Sequence, residues 1–503
     1  MEYILAIDQG TSSTKAIVLS DDGREIASAT APLHTVYTPQ GTAEQDPEAI
    51  VSSVLDAVGT CVTNLEAGGT PRTAISCAGI AVQRETFVLW DTSGPVCPAV
   101  VWQCKRSVDI CTELKAAGYE ADVRARSGLI LDPYFSASKI TWLLRNEPAV
   151  RAAYDSGSLH MGTIDSWLLH RLTGATVHAT DRTNASRTLL YNIHTGEWDA
   201  ELARVFGTSS LRMASIHPSA HHFGESNFGG LFSRPVPITA LAGDSHAALF
   251  GERCFAPGQA KVTLGTGSSI LINAGTTAPE VYPSAMSAVG FGLPGRTTFA
   301  LEGIIISAGS VLTWLQQNLE LYTESELLAG IARSVPDTGG VQLIPGHAGL
   351  GAPFWKMNAR GAISGLSFGT TKAHILRAAL ESIPYQIRAI LDAIAQESGV
   401  HCRSIQANGG ISRNDFVVSW LASTLGVPVH TAATADVTAR GIAFLAGIGA
   451  GIYSGPEQIA ALHIPESIHE PSEAAAAQSG YAQWRREVDR AVDQAIEETY
   501  VGG

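Results

Sequence analysis

The chain has 503 residues, 45% of them hydrophobic and 16% charged, a length and composition that suit two globular domains better than one. Its formal net charge of −14 excludes broad, non-specific binding to nucleic acid or to an anionic membrane, but leaves room for a phosphate ligand held by backbone N–H groups and a few local cations. The seven cysteines are odd in number and form no C-x-x-C pair, which predicts free thiols in a reducing, cytoplasmic compartment.

Residues 3–7 read as an apolar strand that ends at Asp8. The chain enters this strand with no basic leader, so no signal peptide is expected. A polar bend, Gln9-Gly10-Thr11-Ser12-Ser13, leads into a second strand over 15–19, and a turn at Asp21-Asp22-Gly23 leads into a third over 25–30. Asp46-Pro47-Glu48 opens a helix: Asp46 can cap it, Pro47 suits the first helical position, and Ile50, Val54, Ala57, Val58 and Val62 continue the apolar spacing. Strand-like runs over 79–82 and 99–101 end at Gln83-Arg84-Glu85 and at Trp102. Helices are predicted over 139–144, 163–172, 374–390 and 413–425, and again near the C-terminus, where Trp484, Val488, Ala491 and Ala495 share one face.

Strand 259–264, the turn Gly265-Thr266-Gly267-Ser268 and strand 270–273 repeat the pattern of the N-terminal bend about half a chain later. Two such units hint at two similar domains facing each other, and helices alternating with short strands define an α/β protein. The boundary is placed just after Ala242-Gly243-Asp244, giving domains 1–246 and 247–503. The longest apolar stretch, 441–453, is too short and too rich in glycine to span a bilayer, so no membrane insertion is expected.

No G-x-x-x-x-G-K-[ST] motif is present, and no G-x-G-x-x-G follows a strand, so a nucleotide must be held some other way. The bends at Gly10–Ser13, with Lys15 beside them, and at Gly265–Ser268 are either phosphate cradles or plain hairpin turns. Asp8, at the end of an apolar strand, is costly unless it meets a cation or donors; a hydrated Mg²⁺ bridging to ATP phosphates would meet that need, and so would an Asx-turn. Asp244 has the same character and is placed to accept the proton of an attacking hydroxyl. Phosphoryl transfer otherwise needs mainly positioning and charge neutralisation. Arg84-Glu85 either presents a donor and an acceptor to vicinal hydroxyls or is a surface ion pair. Trp102 is either an apolar wall for a carbon backbone or part of the core.

Several of these segments resemble the FGGY carbohydrate kinases, and among them the glycerol kinases. They are Ile7-Asp8-Gln9-Gly10-Thr11-Ser12-Ser13, Gln83-Arg84-Glu85-Thr86, Val101-Trp102-Gln103-Cys104, Asp132-Pro133-Tyr134-Phe135-Ser136 and residues 180–188. Residues 134–146, with Lys139 and Trp142, fit the first signature of that family, and residues 361–381, with His374 and Glu381, fit the second. The matches follow family order from residue 4 to about residue 450.

The resemblance implies two actin-like (ribonuclease H-like) ATPase domains around a central cleft, and ATP-dependent phosphorylation of glycerol to glycerol 3-phosphate. It implies ATP contacts from Thr11, Ser12, Ser13, Lys15, Thr266, Gly309, Thr313, Gly410 and Asn414. Mg²⁺ would lie beside Asp8 and Asp244, with Asp244 the general base. Arg84, Glu85, Trp102, Tyr134 and Asp244 would hold the polyol, and Ser245 and Ser269 would line it. A homo-oligomer, dimer or tetramer, is expected.

Three departures bear on substrate and control. Ser245-His246 follow Asp244 where the family has two glutamines, and Ser269 stands where it has a phenylalanine packed on the glycerol carbons. Both changes make the pocket larger and more polar, which opens the alternative of a longer polyol or a ketose: erythritol, threitol, xylitol, ribulose or xylulose. Residues 229–235 do not reproduce the Gly/Arg pattern linked to inhibition by fructose bisphosphate. A more distant alternative is an actin-like ATP-binding protein that phosphorylates no small molecule.

Overall fold

The computed structural model describes residues 2–432 and 436–501. Three large sheets are present among the described residues, of six, seven and seven strands, and two of them share one topology. In the first, β1 (Tyr3–Gln9), β2 (Ser13–Ser20) and β3 (Glu25–Pro32) form an antiparallel meander. β4 (Ile75–Val82) then pairs parallel to β1, β5 (Ala220–Ser226) forms the far edge, and β6 (Val236–Gly243) lies between them, parallel to β4. The strand order is β5-β6-β4-β1-β2-β3.

The second sheet is built from β7 (Gln259–Leu264), β8 (Ser268–Gly275), β9 (Met286–Leu293), β10 (Arg296–Ile305), β11 (Ser404–Asn408), β12 (Val429–Ala432) and β13 (Glu466–His469). Its order is β9-β10-β8-β7-β11-β12-β13, with β7, β11 and β12 parallel and the β7–β8–β10 run antiparallel. Apart from the extra edge strand β9, each sheet is a three-stranded meander whose first strand is joined by two parallel strands and a final antiparallel one. The two bends singled out in the sequence therefore occupy equivalent places, between the first and second strands of each sheet.

The helices that frame the sheets and their bends are α1 (Pro47–Ala67), α2 (Ser136–Asn146), α3 (Ile164–Leu172), α4 (Asp244–Gly251), α5 (Gly309–Gln317), α6 (Lys372–Ser398), α7 (Asp415–Leu425), α8 (Val437–Gly449) and α9 (Ala474–Val501). The helix predicted over 374–390 is longer at both ends; Thr371 and His374 form a reciprocal cap at its start. The helix predicted over 413–425 starts later because Asn414 caps it, accepting from the N–H groups of Phe416 and Val417.

β1 and β4 are buried on both faces, which is why they read as nearly continuous apolar runs. One face packs on α1 and α3 through Leu5, Ile7, Ile80, Val54 and Leu168. The other face, with Ile4, Ala6, Cys77 and Ala240, packs on Ile442, Phe444 and Leu445 of α8. A helix from the second half of the chain thus closes the core of the first sheet. α4 and α8 cross almost backbone to backbone: a Cβ on Gly441 would lie 1.8 Å from the carbonyl oxygen of Ala247, and one on Gly251 would lie 2.1 Å from that of Val437. The second sheet has its own core against α6, α7 and α9. Among the described residues no helix is long and apolar enough to cross a membrane.

Candidate active site

β4 and β6 end side by side, with Val82 paired to Gly243, so Arg84-Glu85 and Asp244 emerge together. Asp244 is the first residue of α4 and half-exposed, and its Oδ1 accepts from the Ser245 N–H at 2.5 Å. Arg84 Nε lies 3.4 Å from Asp244 Oδ1, and Arg84 Nη1 donates to Glu302 Oε1 on β10 at 2.9 Å. Arg187 Nε donates to Glu85 Oε1 at 2.6 Å, and Arg187 Nη1 reaches Glu302 Oε2 at 2.5 Å. The charges of Arg84, Glu85, Arg187 and Glu302 form one cluster across the two halves of the chain.

Arg84 is 7% exposed and Glu85 1%, so the surface ion pair is corrected: the pair is buried, because Glu302 and Arg187 compensate it from other elements. Burial pushes the Glu302 carboxyl upward, but Arg187 and Arg84 outweigh it and bring it down to about 2. At Glu85 burial wins over the same two arginines, and the carboxyl is raised. Glu85 also holds a left-handed φ of 63°, a strained conformation of the kind retained at functional sites.

Trp102 and Tyr134 pack edge to face, 5.5 Å between ring centroids, on one side of this cluster. Both are held by Lys139 of α2. Its buried ammonium donates to the carbonyl oxygens of Val101, Trp102 and Tyr134 at 3.2, 2.9 and 3.0 Å. The Trp102 indole N–H in turn donates to Thr11 Oγ1 at 3.0 Å, tying the aromatic wall to the β1–β2 bend.

On the other side of Asp244 lies a cavity of about 500 Å³ walled by both halves of the chain. Asp8, Gly10, Asp244 and Ser245 line it from one half, and Lys261, Thr263, Gly409, Gly410 and Arg413 from the other. Burial first, then the neighbouring Asp244 and Asp436, push the Asp8 carboxyl up to about 7, with Lys15 only partly offsetting them. Lys15 itself is paired with Asp436 at 2.5 Å.

Three loops meet at the floor of the second sheet. The Gly309 N–H donates to the carbonyl oxygen of Gly265, and a Cβ on Gly309 would lie 2.7 Å from that oxygen and 3.1 Å from Ile411. A Cβ on Gly409 would lie 2.4 Å from the Leu264 carbonyl oxygen. Glycines are required here because the backbones touch, and the result is a surface of main-chain groups and small side chains.

Of the residues predicted from the sequence, Asp8, Asp244, Ser245 and Gly410 line this one cavity, while Arg84, Glu85, Trp102 and Tyr134 gather around the charge cluster. Ser12 stays on the β1–β2 bend, Ser13 opens β2, and Thr266 lies on the counterpart bend. Thr313 lies one turn along α5, donating to the Gly309 carbonyl oxygen, and Asn414 caps α7. Ser269 sits on β8 opposite Ile304, with a buried hydroxyl that has no partner among the described residues. Arg187 and Lys139 fall in segments that resemble the kinases, but nothing in the sequence gives either a role. Glu302 and Lys261 escape sequence reading altogether. The one available signal is that Glu302 is a carboxylate inside the apolar run Phe299-Ala300-Leu301-Glu302-Gly303-Ile304.

Residues 3–251 match the N-terminal domain of the FGGY family of carbohydrate kinases and residues 260–450 its C-terminal domain. The chain is 40% identical over 500 residues to a glycerol kinase of Carboxydothermus hydrogenoformans, covering 99% of each, and 42% identical over 491 residues to one of Ralstonia nicotianae, covering 97% of this chain and 98% of that one. Among solved structures, Plasmodium falciparum glycerol kinase with ADP superposes with a TM-score of 0.91 at 29% identity, covering 98% of both chains. A xylulose kinase from Lactobacillus acidophilus superposes at 0.87 with 22% identity over 98% of this chain and 99% of that one, a likeness of fold alone. The chain belongs to the FGGY family of carbohydrate kinases. It has the actin-like ATPase fold of two domains and is an ATP-dependent sugar or polyol kinase.

Proposed function

We propose that the chain transfers the terminal phosphoryl group of ATP to a hydroxyl of glycerol, giving glycerol 3-phosphate. One observation carries the reading: Asp244 stands between the Arg84–Glu85–Arg187–Glu302 cluster and the cavity shared by both halves. It is half-exposed, so it can accept a proton from an acceptor on one side while phosphate approaches from the other. Arg84 and Glu85 offer a donor and an acceptor to neighbouring hydroxyls, and Trp102 and Tyr134 wall the carbon chain. Thr11, Ser12, Ser13, Lys15, Thr266, Gly309, Thr313, Gly410 and Asn414 contact the nucleotide from the bends and glycine loops. The names of the relatives, glycerol kinases over nearly their whole length, support the same substrate.

The residues present also suit Mg²⁺. Two carboxylates, Asp8 and Asp244, share the cavity, and Asp8 is pushed up toward neutrality by burial and by its acidic neighbours, a cost that a cation beside it would relieve. Among the described residues no group of three or more side chains forms a metal cage, which suits an ion that takes few protein ligands and completes its shell with phosphate and water. When bound, Mg²⁺ neutralises charge on the phosphates. We also read the division as 1–246 and 247–503. Seven free cysteines favour a cytoplasmic location, and the exposed Leu366 and Phe368 favour a homo-oligomer, which light scattering would test.

The Asp244→Asn variant tests the base. Transfer is expected to fall by about 10²–10⁴-fold with ATP binding kept in calorimetry. Turnover at the wild-type rate would remove Asp244 from that role. A second reading, a longer polyol or a ketose, is favoured by the unpartnered Ser269 hydroxyl and by Ser245 on the cavity wall. A panel of glycerol, erythritol, threitol, xylitol, ribulose and xylulose separates the two: kcat/KM is expected to be highest for glycerol, and turnover of the larger substrates alone would replace it.

A further inference from the structure

Lys261 is a buried cation with no role in holding the polyol or capping an element. It lies on β7, one strand of the second sheet, and is 1% exposed. In the ladder Lys261 pairs with Leu271 of β8, and Leu271 pairs with Glu302 of β10. Directly paired residues share a face of a sheet, so Lys261 and Glu302 stand in one row on the same face, roughly 10 Å apart across two strand spacings. One row further along, Thr263 pairs with Ser269 and Ser269 with Ile304. This face turns toward the first half of the chain, since Glu302 meets Arg84 from it.

Lys261 also lines the cavity together with Asp8, Asp244 and Gly410. Its ammonium makes no hydrogen bond or close ion pair with any described residue, and it is not among the buried nitrogens cut off from the surface, so its tip opens into the cavity. The other cations nearby are differently placed. Lys15 is committed to Asp436, Arg84 to Glu302 and Asp244, and Arg413 is exposed at the rim. Burial lowers the pKa of Lys261; Glu252 acts against this, Arg84 adds to it, and Asp244 and Glu302 favour the charged form. A buried ammonium whose carrier strand leads straight into the Gly265-Thr266-Gly267 bend, and which lines the same cavity as the proposed base, has an anionic complement.

We propose that Lys261 is a catalytic residue that contacts the phosphoryl group as it passes from ATP to the acceptor. In that step the acceptor oxygen forms its bond to phosphorus, the bond from the γ-phosphorus to the bridging oxygen breaks, and ADP leaves with that electron pair. The acceptor proton goes to Asp244. Lys261 undergoes no covalent change; its charge and N–H groups stabilise the oxygens of the moving group. This role rests on the proposed kinase reaction, whereas binding of a nucleotide to the lysine can be measured without it.

The competing role for Lys261 is neutralisation of Glu252, whose buried Oε2 has no hydrogen-bond partner among the described residues. Three full-length variants separate the roles: Lys261→Met, Lys261→Arg and the double variant Lys261→Met/Glu252→Gln. In Lys261→Met, kcat is expected to fall about 100-fold or more, with the polyol KM little changed. By calorimetry, affinity for the β,γ-imido analogue of ATP is expected to drop about tenfold while affinity for ADP holds. Lys261→Arg is expected to recover part of both.

If Lys261→Met fails to fold, the double variant, which removes the uncompensated acid as well, carries the test: it is expected to regain thermal stability but not kcat. Recovery of kcat in the double variant would overturn the proposal, as would equal losses of ADP and analogue affinity. A wild-type protein that phosphorylates nothing in the panel would overturn the kinase substrate reading, while the two binding measurements would still decide for or against Lys261.

Discussion

Lys139 illustrates how a single residue can matter without touching a ligand. Its buried ammonium satisfies three carbonyl oxygens of the segments that carry Trp102 and Tyr134. Lys139→Met would leave those oxygens unpaired and free both rings, so the polyol KM is expected to rise on the order of tenfold, more than kcat falls. Burial lowers the pKa of Lys139 from 10.5 to about 8. The unfolded chain therefore binds more protons than the folded one between those values, and stability attributable to this group rises with pH across that window. Denaturation of wild type and Lys139→Met from below the lower value to above the higher one should show the difference between them change across the window; a constant difference would count against the assignment.

The residue scale is also where sequence reading succeeds and fails for identifiable reasons. Asp8 and Asp244 stand out because each ends an apolar strand, where a bare carboxylate is expensive. Arg84 and Glu85 stand out as a pair, but their burial does not, since it depends on Glu302, 218 positions away from Arg84. Lys261 is hidden by its strand, Gln259-Ala260-Lys261-Val262-Thr263-Leu264, whose alternation looks like a solvent-facing edge.

Among the elements, α4 and α8 form the contact on which the site depends most directly. α4 begins with Asp244, and its far end rests on α8 through Gly251 and Gly441 with no side chain between. Gly441→Ala would drive a methyl group into the Ala247 carbonyl and separate the helices. A loss of about 1–3 kcal/mol in thermal or urea unfolding is expected, together with a lower kcat, because Asp244 moves with its helix. Unchanged values for both would show that the helices adjust without cost. In the sequence α8 is visible only as a glycine-rich apolar stretch, because what each glycine meets lies on another element.

For the whole molecule, the repeated strand-bend-strand pattern is a hint that becomes definite only when both sheets show the same order of meander and parallel strands. The cavity between them takes its walls from both halves, so each ligand alone completes only part of the contact surface. Small-angle scattering is expected to show compaction with polyol and an ATP analogue together, and less with either alone. An unchanged radius of gyration with both present would argue for a preformed, static cleft.

The covering of the first sheet by α8 has a temporal consequence. Ile4 and Ala6 leave the ribosome long before Ile442, Phe444 and Leu445, the side chains that seal their outer face. Domains commonly fold in the order of their synthesis, but here β1 must remain half-covered until most of the second half exists. During that interval its apolar face is available to chaperones or to other nascent chains. The domain that is translated first is therefore completed only after much of its neighbour has been made.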